Sequence, residues 1–399
     1  MPIKSMTTAH AATLPDDFNL VRGGFSTHLA RRLGLAADTA ARRSLKVALL
    51  VLLTWAPLAL LSLLSGHFGF SHVAISFLQD PEVHARFLVV LPLLELAEIM
   101  VSRSLTLQLR HLREMGLVPE RERGRFDAAV TEALALRGAA WVEAVLLIAS
   151  YSIVIVSRLV VGISEGASTW ERTDQGLTLA GWWLTLVGLP ILYFLVLRWF
   201  WVYLIWARLL YRISRLELEL TPTHPDRAGG LGFLGWGVAC FAAVLVPIST
   251  VLSAGFAQLI LHYGESLNSM KYHIAAFIIT ALAVIYAPLL VFSGRLARCR
   301  FQGLLELGAL AWLHDRMFDE KWLRNSPKSA QETILGSSDV QSMADIATCY
   351  GHVNEMRLIP FDMRAFAVLT LAALLPMVPL VGTQIPLREI FMKLGELLI

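Results

Sequence analysis

The chain has 399 residues, 56% hydrophobic and only 16% charged, with a formal net charge of +3 and a mean hydropathy of +0.60. Soluble domains run at about 45–50% apolar and about 25% charged, so these values exclude an ordinary soluble domain and indicate an integral membrane protein. The small net charge lends no support to nucleic-acid binding.

A spanning helix needs about 20 predominantly apolar residues. In chain order the sequence predicts seven: 45–65, 86–102, 138–162, 180–205, 231–260, 273–294 and 365–386. The first six are continuous. The seventh carries Pro376, Pro379 and Pro386 and reads either as a span or as a broken, re-entrant element. The expected fold is therefore all-α, a polytopic helical membrane protein with helical cytoplasmic extensions. Its divisions are an N-terminal segment 1–44, a six-helix membrane region 45–294, a cytoplasmic helical region 295–364, and 365–399 with an amphipathic tail.

Some 44 largely polar residues precede the first apolar run, so the first span is expected to be retained rather than cleaved as a signal peptide. Basic residues alternate strongly between the segments. The stretches through Lys46, 103–137, 207–230 and 294–364 hold 7, 7, 4 and 9 of them, 27 of the 34 in all. The rule that cytoplasmic loops are positive places these segments and the N-terminus inside, and seven spans then place the C-terminus outside. Trp182 and Trp183 at one end of the fourth span, and Trp199, Trp201, Tyr203 and Trp206 toward the other, match interfacial aromatic belts. Pro57, Pro92, Pro190, Pro247 and Pro288 put a proline inside five of the spans. Each either frees a backbone carbonyl to line a pathway or is compensated by neighbours.

The second span reads LVVLPLLELAEIMVSR and sets Glu95 and Glu98 on one helix face. Counting rise along the helices puts Glu95, Glu98, Glu143 and Arg198 within a layer about 7–12 Å from the inner boundary. Three readings stand for that layer: a buried ion-pair network of Arg198 with the glutamates, an acidic constriction on an ion path, or snorkelling toward headgroups. Arg158 lies near the outer end of the third span and is expected to reach water. His67, His72, His84, His262 and His273 gather on or beside outer segments without a ligand-pair spacing, and no pattern implies a metal or a cofactor. Gly235, Ala239 and Ala243 form a small-residue stripe suited to close helix packing.

Between the fourth and fifth spans lies TPTHPDRAGG, residues 221–230. Its His224-Pro225-Asp226 resembles the loop signature of J-domain co-chaperones. That family places the tripeptide between two soluble helices, whereas here it joins two spans, so chaperone docking is not expected. Pro222 and Pro225 stop a helix, and Gly229 and Gly230 supply unusual backbone angles. The loop is then either a rigid turn, with Asp226 and Arg227 satisfying exposed helix ends, or a gating site of His224, Asp226 and Arg227 at the membrane face.

Apolar spacing through Leu296, Leu304, Leu307, Leu310 and Leu313 extends the sixth helix far past the membrane. After a break at Asn325-Ser326-Pro327, Ser338 and Gln341 make a capping box for another helix. The stripe Val340, Met343, Ile346, Ala347, Tyr350, Val353 and Met356 on that helix packs on the sixth-helix extension or serves an oligomer or partner interface.

The segments 221–234, 336–346 and 354–362 resemble a widespread group of multi-pass bacterial inner-membrane proteins. The resemblance covers roughly 210–399 and implies the topology and an inner-membrane location, with no activity to carry over. Two functions compete: an oligomeric channel or transporter for ions or small solutes, and a non-conducting scaffold binding a cytoplasmic protein partner. An enzyme comes third, since no zinc motif, nucleophile elbow or P-loop occurs.

Overall fold

A computed structural model describes residues 19–21, 23, 39–69, 73–164, 168–174, 176–324 and 337–382. The expected turn at 325–327 and amphipathic tail after Pro386 lie outside them. Nine helices and one two-residue hairpin make up the described chain. They are α1 (Ala40–Leu64), α2 (Pro81–His84 continued by Ala85–Val90 and Leu91–Glu114), α3 (Glu120–Gly138) and α4 (Ala140–Ser164). The antiparallel strands β1 (Arg172–Thr173) and β2 (Gly176–Leu177) follow, and then α5 (Leu179–Ser214), α6 (Gly232–Tyr263), α7 (Leu267–Arg324), α8 (Ser338–Asn354) and α9 (Met363–Val381).

Six of these helices, α1, α4, α5, α6, α7 and α9, are long and apolar enough to cross a membrane. The chain is thus a multi-pass helical membrane protein whose apolar helices face lipid. The predicted seventh segment forms a helix that qualifies, and the predicted second does not. Arg86, Glu95, Glu98 and Arg103 dilute α2, which instead sits inside the bundle against α1, α5 and α6, with Leu91, Leu94, Ala97, Val101 and Leu105 buried. Helices shielded by neighbours can carry charge that a lipid-facing helix cannot. Accordingly α1 and α4 bury only 17% of their most apolar window, whereas α5 and α6 bury 44% and 50% and form the centre.

Prolines mark the irregular turns. Pro92 and Pro190 each follow a π-helical stretch, Ala85–Val90 in α2 and Leu184–Gly188 in α5. A proline ring collides with the carbonyl four residues earlier, and a widened turn relieves that collision. Pro288 and Pro376 instead sit in 3₁₀ turns, Ala287–Phe292 and Leu375–Met377. At the second of these, Ser249 and Ser253 of α6 donate to the carbonyls of Ala373 and Pro376, at 2.5 and 2.6 Å. Neighbouring hydroxyls thereby satisfy backbone at a proline-broken turn, and α9 continues as one helix.

The aromatic belt needs correction. Trp199 and Trp206 are buried in the core, and the Trp199 indole donates to the Leu94 carbonyl at 3.1 Å, tying α5 to α2. Trp182 is exposed as expected, while Trp183 donates to Leu53 of α1. Nor does Arg158 reach only for water, since it pairs with Glu171 at 2.9 Å. Two of the outer histidines make inter-element bonds: His84 accepts the Trp55 indole proton at 3.1 Å, joining α2 to α1, and His262 of α6 bonds the Gln79 carbonyl at 3.0 Å.

At the Arg-rich end α7 extends well past the bundle and α8 folds back along it, burying Val353 and Met356 of the stripe while Val340, Ala347 and Tyr350 stay exposed. The cap of α8 falls one residue earlier than the spacing predicts. Ser337 accepts from the Val340 amide, and Gln341 turns away to Asp345, because the helix already includes Ser338. Helix α3 was not anticipated. It lies on α5 through Phe126, Ala129, Val130 and Ala133, and Glu132 clamps Arg208 and Arg212 of α5.

Of the small-residue stripe on α6, Gly235 serves packing, against the chain between α8 and α9. A Cβ on Gly235 would lie 2.6 Å from the Pro360 carbonyl oxygen, and one on Gly237 would lie 2.5 Å from the Gln108 side chain. By contrast nothing lies within 4 Å of a Cβ on Gly294. Gly235→Ala is therefore expected to lower stability by about 1–3 kcal/mol in thermal melts in detergent, since backbone must shift. Gly294→Ala should leave the melt unchanged or slightly raised.

Candidate functional site

Two clusters of functional side chains emerge, one inside the bundle and one at its Arg-rich end. Inside, α2 and α5 cross where Leu94, Glu95 and Glu98 face Leu195, Arg198, Trp199 and Val202, and together with Val21 these line a small cavity. It has room for about one water. The structure thus brings together three of the four residues expected in the charged layer. Glu143, half-buried on α4, does not line this cavity.

The partners differ from those expected. Glu95, 7% exposed, is held by Lys46 of α1 at 2.6 Å. Arg198 donates to the backbone carbonyl of Val21 at 3.0 Å. Lys46 was missed because it reads as a topology-setting charge ahead of the first span. Helix α1 begins at Ala40, five residues before the predicted span, so Lys46 already lies on the helix and its long stem carries the ammonium to α2. The site therefore has mixed sign rather than an excess of free carboxylate, and of the readings open for the sequence the ion-paired one describes Glu95 best.

The second cluster is the loop 221–230. Asp226 Oδ1 accepts from the amides of Ala228 and Gly230 at 2.8 and 3.1 Å, and Oδ2 accepts from Gly232 at 2.8 Å. Gly232 is the first residue of α6, so the carboxylate satisfies donors that a helix start leaves open. Burial works to raise the Asp226 pKa, but these three backbone bonds and His224, 2.8 Å away, outweigh it and hold the carboxyl below its usual range. Arg227 adopts a left-handed backbone (φ 55°), as Gly229 (φ 63°) and Gly230 (φ 95°) do, and this curls the chain around the carboxylate.

The same loop grips the end of α8. The Arg357 amide donates to the Arg227 carbonyl at 2.7 Å, and the Arg227 side chain pairs with Glu355 at 2.9 Å. Pro222 packs where Gly303 of α7 meets Val353 of α8, and a Cβ on Gly303 would come within 2.6 Å of it. Of the two readings of the loop, the rigid turn describes these contacts, with a role beyond joining two helices: it also locks the α7–α8 hairpin to the bundle. His224 touches only its own loop in the bonds described, and the loop residues do not line the charged cavity.

Among the described residues no group of three or more His, Cys, Asp or Glu side chains is placed to hold a metal ion. Searches against protein-family models, curated proteins and solved structures found no match to the chain.

Two outcomes test this geometry. The depressed Asp226 pKa means its carboxylate contributes stability above the unfolded value of about 3.9, lost as pH falls through the lower folded value. Asp226→Asn, which turns an amide toward one of the donors it should accept from, is expected to cost about 1–3 kcal/mol at neutral pH and to flatten the acid limb of a melting-temperature profile. Lys46→Ala strands Glu95 and should cost about 3–5 kcal/mol, most of it recovered in Lys46→Ala with Glu95→Gln. Equal loss in the single and double variants would show that the pair adds nothing specific.

Proposed function

We propose that the protein is a channel or transporter for ions or small solutes whose path passes the charged cavity between α2 and α5, seen here closed. One observation carries this reading. The two helices that supply the cavity, α2 and α5, are also the two interrupted by π-helical turns within the bundle, at Ala85–Val90 and Leu184–Gly188. Widened turns concentrate at functional positions, and ionisable groups kept inside a membrane bundle cost enough that a path for charge is their commonest use. Glu98 and Arg198 would face the permeating species, while the Lys46–Glu95 pair fixes the spacing of α1 and α2.

The alternation of basic segments supports an orientation with the N-terminus and the α7–α8 hairpin on the cytoplasmic side, and the resemblance of residues 210–399 to bacterial inner-membrane proteins supports that membrane. The hairpin supports oligomeric assembly or a cytoplasmic protein partner. It carries Leu305, Trp312, Leu313 and Met317 exposed beyond the bundle, and that pattern favours a non-conducting scaffold as the second reading.

Flux of monovalent cations, protons and small anions into liposomes bearing the purified protein separates the two. Glu98→Gln is expected to change the flux by about tenfold or more, and Glu143→Gln to leave it within about twofold. No flux of any of these, with a stoichiometric co-purifying protein retained by wild type and lost on Trp312→Glu, would replace transport by the scaffold.

A further inference from the structure

We propose that the Arg-rich end carries a binding site for the phosphate headgroup of an anionic phospholipid, formed by Arg215 at the end of α5 and by Arg295 and Arg298 of α7. Such a site is independent of whether the protein conducts solutes.

Three guanidiniums gather there. Arg295 sets its Nε on the carbonyl of Ser214, the last residue of α5, and so ties α7 to α5. Arg215 follows directly, its guanidinium 4.9 Å above the Tyr211 ring and bonded to the Tyr211 hydroxyl at 2.9 Å. Arg298 stands three residues after Arg295 on α7, with its Nε on the Gly294 carbonyl at 3.2 Å. Arg215 and Arg298 are exposed, Arg295 is half-buried, and both neighbours lie close enough to Arg295 for their like charges to repel it. Glu217 and Glu122 act on it in the opposite sense, but each already pairs elsewhere, with Arg121 at 3.3 Å and with Arg125 at 3.1 Å. Each of the three guanidiniums is steadied by one of these bonds, and a guanidinium has five donors. Gathering like charges is unfavourable, and a phosphate that accepts from several of them offsets it.

The surface around the cluster fits a lipid better than a free anion. Arg295 and Arg298 follow closely on the apolar run that α7 carries through Phe292, the place where the hydrocarbon boundary of a spanning helix falls. Leu290, 50% exposed, lies one turn before Gly294, and a Cβ on Gly294 would meet nothing within 4 Å. Gly294 and Arg298, four residues apart on the helix, share a face. Apolar surface thus leads to an open position and then to a guanidinium, the profile of an acyl chain beneath a phosphate. Tyr211 is exposed beside the cluster, an amphipathic ring of the kind that sits at headgroup level. Basic pockets between helices at a membrane face bind anionic headgroups by these same means.

The test uses the full chain, purified in detergent and delipidated, titrated with phosphatidylglycerol and with phosphatidylcholine and read by native mass spectrometry. Phosphatidylglycerol is expected to bind about tenfold tighter or more, and Arg215→Gln with Arg298→Gln to bring it within about twofold of phosphatidylcholine at an unchanged melting temperature. Should the double variant melt lower, Arg298→Gln alone is expected to weaken phosphatidylglycerol by about threefold or more. Arg316, exposed about 27 Å further along α7, is the control, and Arg316→Gln should leave the preference intact. Inorganic phosphate lacks acyl chains, so an equal concentration of it should leave the lipid bound. Equal binding of the two lipids by the parent, or an equal loss in Arg316→Gln, overturns the site. Displacement by inorganic phosphate at equal concentration overturns its assignment to a lipid headgroup.

Discussion

Polar groups inside a membrane bundle depend on partners within the protein, because hydrocarbon offers none and an unsatisfied group there costs several kcal/mol. The unusual contacts of the interior follow from that constraint. Lys46 crosses from α1 to neutralise Glu95, the Trp199 indole crosses from α5 to the Leu94 carbonyl, and serines of α6 reach the broken turn of α9. Each bond joins two helices that lipid-like packing alone would leave free to slide. The charged helix α2 is correspondingly packed inside the bundle, against α1, α5 and α6.

The loop 221–230 satisfies the exposed start of α6 within the chain. One carboxylate collects three amides at the start of α6, and the left-handed residues around it present the Arg227 carbonyl to the chain leaving α8. The segments 221–234 and 354–362 thereby meet in space: Gly235 sits just beyond the first and packs on Pro360 of the second. The surface ion pair between Arg227 and Glu355 is exposed and adds little by itself. The backbone bonds and the packing of Pro222 on Gly303 and Val353 carry the junction.

The Asn19–Val21 segment and the charged cavity tie these ends together. Arg137 and Arg198 stand on separate helices, one at a membrane boundary and one within the bundle, and both spend donors on a three-residue stretch.

Much of this was legible in the sequence. Spans are long apolar runs, so α1, α4, α5, α6, α7 and α9 could be placed by hydropathy, and helical spacing carried α7 past its apolar run, where α8 lies along it. The apolar positions of α3, Phe126, Ala129, Val130 and Ala133, hold the same signal, diluted by the charges between them. Glu95, Glu98 and Arg198 could be brought into one layer by counting rise. Which partner each would take could not, because Lys46, Val21 and Arg137 become neighbours only when helices remote in sequence pack together. The inward turn of Trp199 and Trp206 was hidden for a related reason: composition places an aromatic residue at a depth, and only the rotation of its helix decides whether it faces lipid or core. The sequence by itself therefore determined the membrane class, the helices and the turn chemistry of residues 221–230, all set by local pattern. The tertiary structure alone decided the charge pairs, the burial of α2 and the seating of Asn19–Val21, because those depend on distances between separate helices.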